Sequence, residues 1–280
     1  MAIRIITDSA SDMERADALA LGVHVVPLKV QFGETTYLDG ETITKPEFYT
    51  LLLEGEVSPT TSQPTPEDFL TLFEAAQEAG DQVVAVLLSS SLSGTVQSAV
   101  IAKGMCGYDG IHIVDSFSAT LGEQLLVRHA CKLRDQGCTA QEIADALDEL
   151  KSRIRIYAVI DTLEYLRRGG RLSNLQASIG TVTRLKPVIT LREGKVVVAG
   201  KGFGTAAAVK QAMKFIAGAP ADPAYPAFSV YSDDQRSEEQ LLPKLAEAGL
   251  LPENLLHGSL GATIGTHVGP GAMGLIYIAQ

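Results

Sequence analysis

The chain has no tryptophan, and only three cysteines in 280 residues. Cys106, Cys131 and Cys138 show neither CxxC spacing nor the spacing of a metal knuckle, which argues against a disulfide framework or a thiolate metal site. Nothing like a signal peptide follows Met1-Ala2-Ile3-Arg4, so reduced thiols and a cytoplasmic location are expected. No stretch approaches the roughly 20 apolar residues that span a bilayer, so a soluble protein without stable membrane insertion is expected. Positive charge is also scarce. Lys and Arg number 23 against 33 Asp and Glu, a net charge of −10, which removes any general attraction to phosphate backbones or anionic membranes. The densest basic run, Arg153, Arg155, Arg167, Arg168 and Arg171, is short, and no nucleic-acid partner is expected.

What is present suits a compact fold: 46% hydrophobic and 20% charged residues. The length allows one large or two ordinary α/β domains. Ile3 to Asp8 reads as a first strand, and Ser9 to Asp12 spaces like a capping box opening a short helix. Val23 to Phe32 reads as a second strand, with Gly33-Glu34 turning into Thr35-Thr36-Tyr37. Thr44 with Glu47 and Pro46, then Thr65 with Pro66 and Asp68, start helices carrying Phe48, Leu51 and Leu52, and Phe69, Leu72, Phe73 and Ala76. Gln82 to Leu88 and Ile111 to Val114 are apolar runs of strand length, suited to parallel strands buried on both faces. A helix is expected through Gln97 to Lys103. Thr139 and Glu142 cap another, whose Ile143, Leu147, Leu150 and Ile154 recur on one face.

The pattern changes after about residue 155. Strands are expected at Ile156 to Ile160, Val188 to Leu191, Lys195 to Ala199, Phe228 to Tyr231 and Leu275 to Ala279, with a hairpin at Arg192-Glu193-Gly194. Helices are expected over Ser173 to Thr183 and Phe203 to Ala217, and a helix or turn over Thr162 to Arg167. The fold class is therefore α/β in two domains. Residues 1–155 form a largely parallel sheet with helices, and residues 156–280 a mixed, mostly antiparallel sheet with helices on one side.

Four polar segments stand out. In Thr60-Thr61-Ser62-Gln63-Pro64-Thr65 the cap is Thr65, which leaves Thr61 and Ser62 as spare hydroxyls; the ordinary reading is a loop and a cap. Ser89-Ser90-Ser91-Leu92-Ser93-Gly94-Thr95 follows a buried strand and precedes a helix, where α/β folds place ligands. Gly94 lets backbone approach a ligand, and the helix start offers N–H groups to an anion. A plain strand-to-helix turn is the competing reading. In His267-Val268-Gly269-Pro270-Gly271-Ala272-Met273-Gly274 the constrained backbone favours a positioned imidazole. Tyr165-Leu166-Arg167-Arg168-Gly169-Gly170-Arg171-Leu172 is either a solvated turn or an anion or partner contact.

Catalytic templates fit poorly. Ser93-Gly94 is no Gly-x-Ser-x-Gly elbow, no GxxxxGK[ST] loop occurs, and no His or Cys pair has metal spacing. The remaining set of hydroxyls, backbone N–H groups and one histidine is able to hold a carboxylate.

Together these segments resemble the DegV family of bacterial fatty-acid-binding proteins. The resemblance runs along nearly the whole chain. It rests on Ile5-Ile6-Thr7-Asp8-Ser9, on Asp39-Gly40 leading to Glu47-Phe48-Tyr49, and on Thr61-Ser62-Gln63-Pro64. It continues through Ser91-Leu92-Ser93-Gly94-Thr95 with Gln97-Ser98-Ala99, Gly169-Gly170-Arg171-Leu172 and His267-Val268-Gly269-Pro270-Gly271. Val96, where an aromatic is expected, is a small departure. The resemblance implies a lipid held between two domains, with no cofactor besides a bound long-chain fatty acid such as palmitate, stearate or oleate. By its analogy Thr61 and Ser93 bond the carboxylate, with His267 in the same network and Arg171 at its edge or at a partner surface. Ser62, Gly94, Thr95 and Gly269 complete the expected ligand-binding set. The family further implies a non-enzymatic carrier whose acid is phosphorylated by a separate fatty acid kinase, feeding acyl phosphate to phospholipid synthesis. Two alternatives stay open: a lipid sensor without a kinase role, and a Ser-dependent hydrolase or kinase-like enzyme with Ser93 as nucleophile.

Overall fold

The computed structural model describes residues 2–55, 57–172 and 184–280. In chain order the strands are β1 (Ile3–Asp8), β2 (Val23–Val26), β3 (Lys29–Phe32), β4 (Thr35–Leu38), β5 (Thr60–Ser62), β6 (Gln82–Leu87), β7 (Ile111–Asp115), β8 (Ile154–Val159), β9 (Leu185–Arg192), β10 (Lys195–Phe203), β11 (Ala227–Tyr231), β12 (Leu255–Ser259) and β13 (Met273–Ile278). The helices are α1 (Arg15–Leu21), α2 (Lys45–Glu54), α3 (Pro66–Ala79), α4 (Thr95–Cys106), α5 (Thr120–Asp135), α6 (Ala140–Leu150), α7 (Glu164–Arg168), α8 (Thr205–Gly218), α9 (Leu242–Glu247) and α10 (Ala262–Val268).

The N-terminal part holds a four-stranded parallel sheet in the order β2-β1-β6-β7. Its strands are apolar on both faces because helices cover both. Along β6, Val83, Ala85 and Leu87 pack with Phe69 and Phe73 of α3 and Ala99 and Ala102 of α4. The alternate residues Val84 and Val86 pack with α5 and α6. Thr44, Thr65 and Thr139 cap α2, α3 and α6, and Glu47, Asp68 and Glu142 return the bond, so three of the four expected capping boxes form.

The C-terminal part holds a six-stranded sheet in the order β10-β9-β8-β13-β11-β12. Its pairings are antiparallel except β11 with β12. The strand alternation of two separates its faces. Leu275 and Tyr277 pack with Ala208, Val209, Ala212 and Ile216 of α8 and Leu245 of α9, whereas Ile276 and Ile278 turn toward α5. Helix α5 therefore lies between the two sheets, and its Leu121, Leu125, Leu126 and Ala130 belong to a core that both sheets share.

A third, three-stranded antiparallel sheet in the order β4-β3-β5 stands apart and carries Thr61. It overturns the expectation of one strand over Val23 to Phe32: β2 joins the parallel sheet and β3 this small one, with Pro27 and Leu28 between them. The expected capping box at Ser9 does not form. Asp8 caps a single 3-10 turn over Ser9–Ser11 instead, and Ser9 Oγ accepts from the Leu28 N–H. Ile154 opens β8 rather than extending α6. Helices cover both faces of the second sheet, not one, because α5 supplies the other. Helices α5, α9 and α10 and strands β5 and β12 are additions to the expected elements. The first half of α5, Thr120 to Val127, is buried all round, so it shows no amphipathic period to read. The helix expected over Ser173 to Thr183 lies outside the described residues.

Leu126 is fully buried between the sheets. Leu126→Ala should lower stability by about 2–5 kcal/mol in equilibrium urea unfolding. A loss below about 0.5 kcal/mol, the size of a surface substitution, would contradict a core shared through α5.

Candidate functional site

A cavity of about 350 Å³ opens between the end of β6 and the second sheet. That lies within the roughly 300–1,000 Å³ of small-molecule sites. Its wall is aliphatic: Leu28, Leu88 and Leu92 come from the N-terminal part, Ile156, Ile189, Leu191 and Val196 from β8, β9 and β10, and Ile264 and Val268 from α10. No Phe or Tyr ring is among the lining residues described. Into this wall are set Thr61, Ser62, Gln63, Ser93, Arg171 and His267. They arrive from β5, from the loop before α4, from the turn after α7 and from the last turn of α10.

Thr61 Oγ1 and His267 Nε2 are 2.8 Å apart, joining residues 206 positions apart in the chain. Burial, with the nearby Arg171 guanidinium adding to it, lowers the His267 pKa to about 4. The ring is therefore neutral at pH 7, with one nitrogen a donor and the other an acceptor. Its Nδ1 is buried without a hydrogen-bond partner. An Nε2–H tautomer suits this site, because a proton on Nδ1 would leave a buried donor unsatisfied. In that tautomer Nε2–H donates to Thr61, and the Thr61 hydroxyl proton is free to donate to a ligand. Ser93 Oγ lies 2.9 Å from Thr95 Oγ1. When Thr95 donates, Ser93 likewise presents its proton outward. Arg171 is held by Leu92 O at 3.0 Å and Gly169 O at 2.7 Å, which fixes its charge at the cavity wall.

The remaining expected residues act from behind the wall. Thr95 is fully buried and bonds Ser93. Gly94 makes room for a side chain rather than a ligand, since a Cβ there would lie 2.2 Å from Gln63 Oε1. Gln63 in turn donates to Ser98 Oγ at 3.2 Å. Gly269 ends α10 at φ +77°, and a Cβ would collide with the Tyr165 ring. Gly169 is as constrained: a Cβ would sit 2.1 Å from His267 Nδ1.

Sequence reasoning missed a group of buried acids next to the site. Asp8, Asp12, Asp39 and Glu123 are each no more than 5% exposed. Burial pushes Asp8 and Asp12 up to about 7 and raises Asp39 and Glu123 as well. Thr120 and Thr263, which line the cavity, bond Asp12 and Asp39: Thr120 Oγ1 donates to Asp12 at 2.6 Å and the Thr263 N–H to Asp39 at 3.0 Å. The acids lie far apart in sequence, and the bonds that unite them appear only on folding.

Residues 2–280 match the family model described as "Uncharacterised protein, DegV family". The chain belongs to the DegV family. A DegV domain-containing protein of Caldanaerobacter subterraneus subsp. tengcongensis is 37% identical over 279 residues, 98% of each chain. Among solved structures, a fatty-acid-binding DegV family protein from Thermus thermophilus superposes with a TM-score of 0.89 at 36% identity over all of both chains. A stearic acid-binding protein from Eubacterium ventriosum superposes with a TM-score of 0.89 at 25% identity, covering 100% of this chain and 98% of that one. The parallel N-terminal and mixed C-terminal sheets are thus those of DegV structures, and solved DegV proteins bind fatty acids. Among the described residues of this DegV chain no helix is long and apolar enough to cross a membrane.

The neutral, buried His267 has a consequence for stability. Between pH 6.5 and about 4 the unfolded chain takes up a proton there that the folded chain refuses. Its contribution is present above pH 6.5 and lost as pH falls toward 4. His267→Gln should therefore lose less stability than the parent between pH 7 and pH 5, in paired thermal unfolding. A ring titrating near 6.5 by NMR would contradict the assignment.

Proposed function

We propose that this DegV protein binds one long-chain fatty acid, such as palmitate, stearate or oleate, and presents its carboxylate to a separate fatty acid kinase. The acyl chain occupies the aliphatic cavity between two units, residues 1–155 and 156–280. The hydroxyls of Thr61 and Ser93 donate to the carboxylate, His267 and Thr95 orient them, and Arg171 adds positive charge at the rim. The observation that carries the reading is one cavity whose wall is aliphatic apart from a set of hydroxyls, an amide, an imidazole and a guanidinium. Burying a chain of about 16 carbons is worth on the order of 12 kcal/mol gross, before ordering costs. The aliphatic wall thus accounts for affinity, and the polar residues account for orientation.

The chain acts as a carrier rather than as an enzyme, in the cytoplasm, and its bound acid becomes acyl phosphate for phospholipid synthesis. Against a Ser-dependent hydrolase stands the pairing of the site: Ser93 bonds Thr95 while His267 bonds Thr61. A nucleophile needs its base within hydrogen-bond reach. A sensor without a kinase role differs only in the handover, which the kinase reaction reads directly.

Ser93→Ala and Thr61→Val each remove one bond to a charged acceptor, worth roughly 1.5–3 kcal/mol, or about 10- to 150-fold in Kd. Displacement of a fluorescent fatty acid should show that loss. Acyl-phosphate formation by a fatty acid kinase with ATP should require the unsubstituted protein. Unchanged affinity and unchanged handover in both variants would place the head group elsewhere.

A further inference from the structure

Helix α10 brings His267 to Thr61, yet it has little means of holding its own position. It has seven residues, and its N-cap, Gly261, has no side chain to bond the free N–H groups of the first turn. So short a helix has no stability of its own in water, and those N–H groups need acceptors from elsewhere. Two carboxylates supply them. Asp12 Oδ1 accepts from Gly261 at 2.8 Å, and Asp39 accepts from Ala262 at 3.1 Å and Thr263 at 3.0 Å. These partners lie more than 220 positions away in sequence. The fit is close, since a Cβ on Gly261 would approach Asp12 Oδ1 to 2.7 Å.

We propose that Asp12 and Asp39 are positioning residues for the head-group site: by gripping the first turn of α10 they set where His267, further along the same helix, meets Thr61. The inference rests on the fatty-acid reading given above and goes beyond it by naming what orients the imidazole. The Asp12 segment is anchored in its turn. Thr120 Oγ1 donates to Asp12 Oδ2 at 2.6 Å from a strained backbone, φ +52°. The Lys45 ammonium bridges the carbonyls of Asp12 and Ser259 at 3.2 and 2.9 Å. The pair stands between two spaces. Asp12 and Asp39 border a second, larger cleft of about 1160 Å³, while Thr120 and Thr263 line the aliphatic cavity. A shift of α10 would therefore move one wall of that cavity together with His267.

A purely structural role would lower stability without singling out the imidazole. The test compares Asp39→Ala, Asp39→Asn and Asp12→Asn with Leu147→Ala, a core substitution in α6. Two quantities are read: the 15N and 1H signals of the His267 ring in lipid-free protein, and the Kd for oleate. The expected result is a moved or broadened His267 signal and a Kd raised about tenfold in Asp39→Ala. Asp39→Asn, which keeps one acceptor, should fall between it and the parent. Leu147→Ala should leave the ring signal unmoved and the Kd within about twofold, as sites without shared partners do. Parent-like ring signals in all three Asp variants, or an equal disturbance in Leu147→Ala, would overturn the proposal. If Asp39→Ala does not fold, the two Asn variants carry the comparison. If the parent itself binds no oleate, the function proposed above falls, and the lipid-free ring signals still decide the positioning role.

Discussion

The hydrogen bond between Thr61 and His267 is the contact between the two parts of the molecule on which the site depends. It joins a three-residue strand of the small N-terminal sheet to the last turn of a helix near the C-terminus. The ring can make that bond only because Gly169 leaves room beside its Nδ1. Burial keeps it neutral, which allows Nε2 to act as a donor. Thr61 is then left with a proton to give, and the cavity gains a directed donor instead of a self-satisfied pair. The Ser93 and Thr95 hydroxyls repeat the arrangement at the start of α4.

Around these groups affinity and orientation fall to different residues. The wall drawn from β8, β9, β10 and α10 is branched and aliphatic, so in the proposed function it favours methylenes without direction and in proportion to area. The hydroxyls and imidazole provide direction. The buried acids behind them would destabilise a fold that left them unpaired. Here Asp8 accepts from Ala10 and Leu88, Asp12 from Thr120 and Gly261, and Asp39 from Ala262 and Thr263. Their burial is thereby converted into fixed positions for backbone on both sides of the cavity.

Much of this was legible from local pattern. The capping boxes at Thr44, Thr65 and Thr139 announce α2, α3 and α6, and the apolar run Gln82 to Leu88 announces a strand covered on both faces. Helix α5 was not legible. It opens on Thr120 at positive φ and buries Glu123 and Gln124 among its apolar residues, so its first half shows no polar face to set a helical period, although most of its residues are good helix formers. Strands β2 and β3 read as one, because the break at Pro27 and Leu28 separates sheets without interrupting the apolar run. In the site, Thr61 and Ser62 stood out as spare hydroxyls, and Ser93, Arg171 and His267 as polar groups in glycine-bearing turns, and the structure brings them to one cavity wall. Asp12 and Asp39 were legible only as a cap position and as part of the Asp39-Gly40 motif, not as partners, because they acquire their common partner only when α10 docks.

The most direct measurement is denaturing lipid extraction and mass spectrometry on freshly purified protein. One long-chain fatty acid per chain is the predicted result. Protein that arrives empty and also takes up no added palmitate or oleate would contradict the account, leaving the DegV fold without the ligand assigned to its cavity.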